Sequence, residues 1–179
     1  MTIAEILLIG VALSMDAFAV CLSSGMAYTN LNGAKKLSLP IAFGIFQGIM
    51  PIGGYYLGSL FAELIDRFSG PVALIILGVI GINMIREGLS PETGQTEKKL
   101  TFKVLLLQAV ATSIDAFAVG VSFAGRAPIF TAAPLIAATT FILSTAAMLI
   151  GGKVGEKLGS RAEILGGVIL LIIGIKAMF

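Results

Sequence analysis

The chain has 179 residues, of which 57% are hydrophobic and 12% are charged. Soluble domains carry about 25% charged residues, so this low charge and a mean hydropathy of +1.01 exclude both a soluble globular protein and a disordered chain. The net charge of +2 gives no argument for nucleic-acid binding, and a chain with no His and one Cys can form neither a Cys/His metal cage nor an internal disulfide. The remaining class is an integral membrane protein.

Six apolar stretches are candidates for transmembrane helices, which need about 20 apolar residues each. They cover residues 3–25, 38–61, 68–85, 104–125, 127–152 and 162–179. We therefore expect an all-α membrane protein without a separate soluble domain. The longest polar run, SPETGQTEKK, contains Pro and Gly and marks a loop at 90–101. This loop divides the chain into two units of three helices each, 1–89 and 102–179.

The 12 lysines and arginines are distributed unevenly between the two sides of the predicted bundle. Nine lie on the side of the 90–101 loop, and three lie on the other side, namely Arg67, Arg126 and Lys176. Since positively charged loops stay in the cytoplasm, we expect this loop inside the cell and both termini outside. Lys176 is near the end of its span and is interpreted as an interfacial anchor.

The two units share a sequence motif. Residues 11–25 read VALSMDAFAVCLSSG and residues 110–124 read VATSIDAFAVGVSFA, with nine of fifteen positions identical. Chance matches between apolar segments are common, but Asp-Ala-Phe-Ala-Val twice at mid-span is not. Because each unit has three helices, the second must enter the bilayer upside down. Such inverted repeats are typical of secondary transporters with a binding site at the midplane.

Each motif places an aspartate near the middle of a predicted span. Asp16 lies 13 residues into the first span and Asp115 lies 11 residues into the fourth. At 1.5 Å per residue, each is roughly 17–20 Å deep in an apolar core about 30 Å thick. An ionised Asp at this depth costs roughly 2.5–3.5 kcal/mol on insertion scales. The pair therefore indicates function, with a protonated Asp bonded to a neighbouring helix as the structural alternative.

The pairing of the aspartates favours a divalent cation. If a pseudo-twofold axis brings two carboxylates together in a low dielectric, both cannot be ionised cheaply. A divalent cation balances their charge, and protons can replace it, which is a physical basis for metal/proton exchange. Oxygen donors suit Mg²⁺, Ca²⁺ or Mn²⁺. The predicted metal ligands are Asp16 and Asp115, with Ser23, Thr112, Ser122 and Gln47 as further oxygen donors.

The second span carries glycines that predict close helix contacts. Gly44 and Gly48, then Gly54 and Gly58, form two G-x-x-x-G pairs. Pro51 lacks a backbone donor and predicts a bend in this span.

Other functions agree less well with the sequence. There is no G-x-x-x-x-G-K-[ST] motif for ATP, so a transporter must use a gradient or a partner. Intramembrane aspartyl proteases share one proton between two aspartates, but this chain lacks their Y-D and G-x-G-D motifs. A membrane scaffold without transport activity is a further alternative, and the paired aspartates argue against it.

The segments SMDAFAV at 14–20 and SIDAFAVG at 113–120, in a chain of this length, resemble the MntP family of manganese efflux pumps. That family lies within the LysE-like exporter superfamily, and the resemblance covers essentially the whole chain, including its 3+3 layout. It implies a multi-pass exporter of Mn²⁺ in a prokaryotic plasma membrane, not an enzyme and without a cofactor, in which Asp16 and Asp115 are functional. It implies no oligomeric state.

Manganese as the cargo and export as the direction come from this resemblance alone. The alternatives are a LysE-like exporter of another divalent cation or of an amino acid. An amino-acid site should offer a cation to the substrate carboxylate, and the sequence places no Lys or Arg at mid-span.

Overall fold

The computed structural model describes residues 2–28, 32–89, 100–123, 128–158 and 160–176, and its regular structure there is entirely helical. The helices are α1 (Ile3–Ala27), α2 (Gly33–Leu89), α3 (Phe102–Ala111), α4 (Ile114–Phe123), α5 (Ile129–Leu158) and α6 (Ser160–Lys176). The predicted all-α class is therefore confirmed. Most of the predicted linker, 90–99, lies outside the described residues.

Within the described residues, four helical segments are long and apolar enough to cross a membrane, namely Ile3–Ala27, Gly33–Leu57, Phe102–Phe123 and Ile129–Gly155. Two shorter apolar helices, Leu77–Arg86 and Ile164–Lys176, coincide with the predicted third and sixth spans. Large apolar side chains such as Leu8, Ile142 and Phe102 are exposed on the outside of the helices, as expected where the solvent is lipid. The chain is a multi-pass membrane protein.

A capping box starts α1. The Thr2 hydroxyl accepts a hydrogen bond from the backbone N–H of Glu5 (3.3 Å), and the Glu5 carboxylate accepts one from the N–H of Thr2 (2.9 Å). These bonds satisfy backbone donors that the first helical turn leaves without partners. The helix then continues without a break for 25 residues, through the first aspartate motif.

Helices α1 and α5 pack side by side and run in the same direction. Gly10 on α1 lies against Thr139, and Gly25, four turns later, lies against Met148. Between these two contacts, the hydroxyls of Ser14 and Thr140 share a hydrogen bond of 2.9 Å.

The first part of α2 packs against α5 in the opposite direction. An added Cβ at Gly44 would lie 3.1 Å from Phe141, and one at Gly48 would lie 3.0 Å from Ala137. Residue numbers at the contacts therefore rise along α2 and fall along α5, as expected for antiparallel helices. The predicted close contact at this glycine pair is confirmed.

Helix α6 runs antiparallel to both α1 and the later part of α2. Gly151 of the parallel helix α5 contacts Gly25 of α1, and fifteen residues later Gly166 of α6 lies at nearly the same level of α1, where its carbonyl accepts a hydrogen bond from Ser23 (2.9 Å). The chain therefore reverses direction between these two contacts. On α2, Gly81 contacts Gly167, and residue 74 lies at the level of residue 174.

The two parts of α2 consequently run in opposite directions. A straight helix of 57 residues would be roughly 85 Å long, against an apolar core of about 30 Å. The contacts with α5 and α6 require instead that the chain turns back between residues 57 and 74. These two arms of α2 correspond to the predicted second and third spans.

The predicted fourth span, 104–125, corresponds to the candidate span Phe102–Phe123, and its helix is interrupted at two residues. Helix α3 ends at Ala111 and α4 begins at Ile114. The Thr112 hydroxyl donates to the Gln108 carbonyl (2.9 Å), and the N–H of Ser113 bonds to the carbonyl of Val110, three residues back (3.1 Å). Side-chain hydroxyls that compete for backbone groups in this way disturb helices.

Glycines allow α4 to contact the first arm of α2 at backbone distance. A Cβ at Gly54 would collide with the Phe117 carbonyl, and a Cβ at Gly120 would collide with the backbone of Pro51. Because Gln47 of the same arm contacts Thr112, α4 runs parallel to this arm. It is therefore antiparallel to α1, and the two aspartate motifs run in opposite directions.

The adjacent glycines 151 and 152 of α5 provide a matched test of this packing. A Cβ at Gly151 would collide with the Leu22 carbonyl of α1, whereas one at Gly152 would have no neighbour within 4 Å. We expect Gly151→Ala to lower the thermal unfolding midpoint in detergent, because overpacking costs about 1–3 kcal/mol. Gly152→Ala should leave the midpoint unchanged or raise it, because Ala in a helix is favoured over Gly. Equal midpoints for the two variants would contradict the α1–α5 contact.

Candidate functional site

A layer of buried polar side chains separates two clusters of buried apolar side chains. Leu13 and Ile136 belong to one cluster, and Ala17 and Ala147 belong to the other. A buried polar residue therefore lies between the two clusters on each helix, Ser14 on α1 and Thr140 on α5. This polar layer consists of Ser14, Gln47, Thr112, Ser113 and Thr140, each 3% exposed or less.

Gln47 joins the two aspartate motifs within this layer. Its side-chain Nε2 donates to the carbonyl of Thr112 (2.7 Å) and to the carbonyl of Leu13 (3.4 Å). Leu13 and Thr112 are equivalent positions of the two motifs, each three residues before its aspartate. One amide group therefore holds the backbones that carry Asp16 and Asp115 next to each other.

The two aspartates lie on opposite sides of Gln47. Asp16 is about 4.5 Å beyond Leu13 along α1, and Asp115 is a similar distance beyond Thr112 in the opposite direction, at 1.5 Å per helical residue. Side chains on a helix tilt toward its N-terminus, so both carboxylates tilt back toward Gln47.

The interruption of the fourth span gives Asp115 a backbone environment that Asp16 lacks. Asp115 lies in the first turn of α4, and its Oδ1 accepts a hydrogen bond from the N–H of Ala116 (2.8 Å). The free N–H groups and the dipole of a helix N-terminus stabilise a carboxylate. Asp16, in the middle of a continuous helix, has no such terminus. Asp16 is half-buried and Asp115 is exposed.

The other predicted ligands lie in different places. Ser23 is buried and donates to the Gly166 carbonyl, two turns from Asp16. Ser122 is exposed and donates to the Val119 carbonyl of its own helix (2.7 Å). The Thr112 hydroxyl is used within α3, whereas Gln47 lies between the aspartates.

Two buried oxygens in the polar layer have no hydrogen-bond partner among the described residues. They are the Oε1 of Gln47 and the Oγ of Ser113. Leaving a buried polar atom unpaired costs about 1–3 kcal/mol, so each is a candidate for contact with an ion.

Sequence reasoning missed Ser113, although an S-x-D pattern occurs in both motifs. A residue two positions before Asp115 points away from it on a regular helix, whereas in the structure Ser113 is a fully buried residue of the helix break whose Oγ has no partner among the described residues. Sequence reasoning also interpreted Lys176 as an interfacial anchor. In the structure, Lys176 is in the last turn of α6, and its positive charge acts on Asp16.

Comparison with known proteins identifies the family of the chain. Residues 30–178 match the family model described as "Putative manganese efflux pump". The chain belongs to this family. It is 43% identical to a "Putative manganese efflux pump MntP" of Ruminiclostridium cellulolyticum, over 98% of this chain and 95% of the relative. It is 45% identical to "Putative manganese efflux pump MntP 1" of Wolinella succinogenes, over 97% and 96% of the two chains. No solved structure matches the chain. Members of this family are classed as transporters and not as enzymes.

Removal of the Gln47 amide tests the connection between the motifs. We expect Gln47→Leu to lower the thermal unfolding midpoint in detergent, because the Thr112 carbonyl at the helix break loses its donor, at a cost of about 1–3 kcal/mol. Ser122→Ala is the control, since the Ser122 hydroxyl is exposed and bonds only within α4. A Gln47→Leu protein as stable as the wild type would contradict the role of Gln47 as a link.

Proposed function

We propose that the chain is a secondary transporter that exports Mn²⁺ and binds the ion between Asp16 and Asp115. The observation that carries this proposal is the Gln47 side chain, which bonds to equivalent backbone positions of both aspartate motifs within a buried polar layer. The names of the relatives, which specify manganese and efflux, support the choice of cargo and direction.

The proposed ion site is composed of oxygens. The two carboxylates supply charge that balances a divalent cation, and Gln47 Oε1 and Ser113 Oγ supply neutral oxygens that lack other partners. Carboxylate, carbonyl and hydroxyl oxygens suit Mn²⁺, Mg²⁺ and Ca²⁺ and not the softer ions that thiolates select. Ser23, Thr112 and Ser122 are not in this proposed set, because their hydroxyls bond to backbone carbonyls. Mn²⁺ is here a substrate and not a cofactor.

Protons are the proposed counter-substrate. Two neighbouring carboxylates in a low-dielectric layer are stable either with a divalent cation or with protons. Metal binding then releases protons and proton binding releases metal. An inward proton gradient can therefore drive Mn²⁺ outward without ATP.

The apolar clusters on either side of the polar layer are the proposed barriers for alternating access. In this proposal the units 1–89 and 102–179 are inverted repeats that move against each other around a fixed midplane site. The opposite directions of the two motif segments support that relation. We place the protein in a prokaryotic plasma membrane with both termini outside, on the distribution of Lys and Arg.

An amino-acid exporter is a second candidate, because the Asp16–Lys176 pair could bind the amine and the carboxylate of such a substrate. Lys176 of this pair is the cation for a substrate carboxylate that the sequence alone did not place at mid-span. The manganese named in the relatives argues against this candidate. An excess of lysine or other amino acids should leave Mn²⁺ transport unchanged, whereas competition would favour the second candidate.

Neutralising either aspartate tests the proposed site. We expect Asp16→Asn and Asp115→Asn each to abolish Mn²⁺ transport into inverted membrane vesicles while the protein still inserts, since Asn keeps the size and removes the charge that balances the ion. Glu5→Gln is the matched control, because Glu5 is an acidic residue of the same helix that serves only the capping box.

The control variant should transport at the wild-type rate. Wild-type transport by either aspartate variant would contradict the paired-carboxylate site.

A further inference from the structure

The end of α6 lies at the level of Asp16. The contact that fixes the relation of the two helices is the hydrogen bond from Ser23 to the Gly166 carbonyl (2.9 Å). Asp16 is seven residues before Ser23, which turns it back to the same face of α1, the face toward α6. The seven residues of α1 from Asp16 to Ser23 span about 10 Å, and the ten residues of α6 from Gly166 to Lys176 span about 15 Å. Because the helices are antiparallel, the Lys176 backbone lies about 5 Å past Asp16.

The direction of the Lys176 side chain reduces this offset. Helix side chains tilt toward the N-terminus, which in α6 is the direction back toward Asp16. Ile173, one turn earlier on α6, packs against an apolar cluster to which α1 also contributes side chains, so this part of α6 faces the interior of the bundle. The electrostatic attraction between Asp16 and Lys176 agrees with the geometry.

The site therefore includes three charged groups, Asp115, Asp16 and Lys176. With both carboxylates ionised, the three groups carry one net negative charge, and a bound divalent cation changes this to one net positive charge. Lys176 therefore opposes the binding of a cation next to Asp16. Its flexible stem and its exposure allow the ammonium group to approach or leave the carboxylate.

We propose that the Lys176 ammonium group is a tethered cation that balances Asp16 when no metal is bound, and that it competes with Mn²⁺ for this carboxylate. Binding of Mn²⁺ displaces Lys176, and the return of Lys176 promotes release and hinders rebinding. This inference rests on the proposed function of Asp16 as a metal ligand. It assigns to Lys176 a positioning role for the charge of the site and no contact with the ion.

The test compares Mn²⁺ binding and transport in the full-length protein with those of Lys176→Gln, Lys176→Met and Lys176→Arg. We expect Lys176→Gln and Lys176→Met to bind Mn²⁺ about three- to tenfold more tightly in titrations of purified protein, because an opposing charge has been removed. In inverted vesicles, the apparent KM and the maximal rate should both fall, because release becomes slower. Lys176→Arg should keep wild-type values, because the charge is kept.

Lys153→Met is the matched control, since Lys153 is exposed in α5 and its removal changes the net charge equally. Its Kd and maximal rate should be those of the wild type. An unchanged or weaker affinity in both neutral Lys176 variants would overturn the tethered-cation proposal, and so would an equal tightening in Lys153→Met. The use of two neutral variants allows the test to proceed if one of them fails to fold.

The proposed function fails in a distinguishable way. If Asp16→Asn binds Mn²⁺ as tightly as the wild type, the metal site itself is wrong, and the role of Lys176 is overturned with it. If Asp16→Asn loses binding and the neutral Lys176 variants bind like the wild type, the metal site stands and only the tethered cation is refuted.

Discussion

The side chain of Gln47 bonds to both aspartate motifs, and the arrangement of the polar layer depends on this interaction. Its amide nitrogen lies within 3.4 Å of the carbonyl oxygens of Leu13 and Thr112. These carbonyls belong to helices that run in opposite directions, so the two aspartates that follow them lie on opposite sides of one amide group. Without such a link, each carboxylate would be an isolated charge in an apolar medium, which membrane proteins tolerate only where it serves a function or has a partner.

Small residues make this arrangement possible. Gly120 lies within the second motif segment and contacts the backbone of Pro51, one turn after Gln47. Any side chain at Gly120 or Gly54 would separate α4 from α2 and move Thr112 away from the Gln47 amide. In membranes, helices associate through close packing and hydrogen bonds instead of the hydrophobic effect. The glycine contacts and the hydrogen bonds of the Gln47 amide therefore stabilise the same helix pair.

Much of the fold could be predicted from the sequence, because its determinants are local. The length of the apolar segments predicts the helices, and the duplicated motif identifies Asp16 and Asp115. Gln47 lies outside the motif and is predicted because it is a polar residue within an apolar span. The α3–α4 break could not be predicted in the same way. Thr and Ser occur in many continuous helices, and the hydrogen bond of Gln47 to the Thr112 carbonyl at the break is a tertiary contact that the sequence does not reveal.

The position of Lys176 relative to Asp16 could not be predicted, for a related reason. Its position near the end of a span suggests an interfacial anchor, and the sequence does not reveal that α6 ends at the level of Asp16. That relation depends on the antiparallel pairing of α1 and α6 and on their register, which the contact of Ser23 with Gly166 fixes. The register of two helices that are distant in sequence depends on tertiary packing. The length of an apolar segment does not predict it.

The central claim is that one pair of carboxylates binds either Mn²⁺ or protons. The most direct test is a calorimetric titration of the purified protein with Mn²⁺, because proton release on metal binding appears as buffer-dependent heat. The titration is run at about pH 6 and about pH 8, in two buffers of different ionisation enthalpy. The account predicts tighter binding at the higher pH, where fewer protons compete, and a heat that depends on the buffer at the lower pH. Equal affinity at both pH values, with no dependence on the buffer, would contradict it.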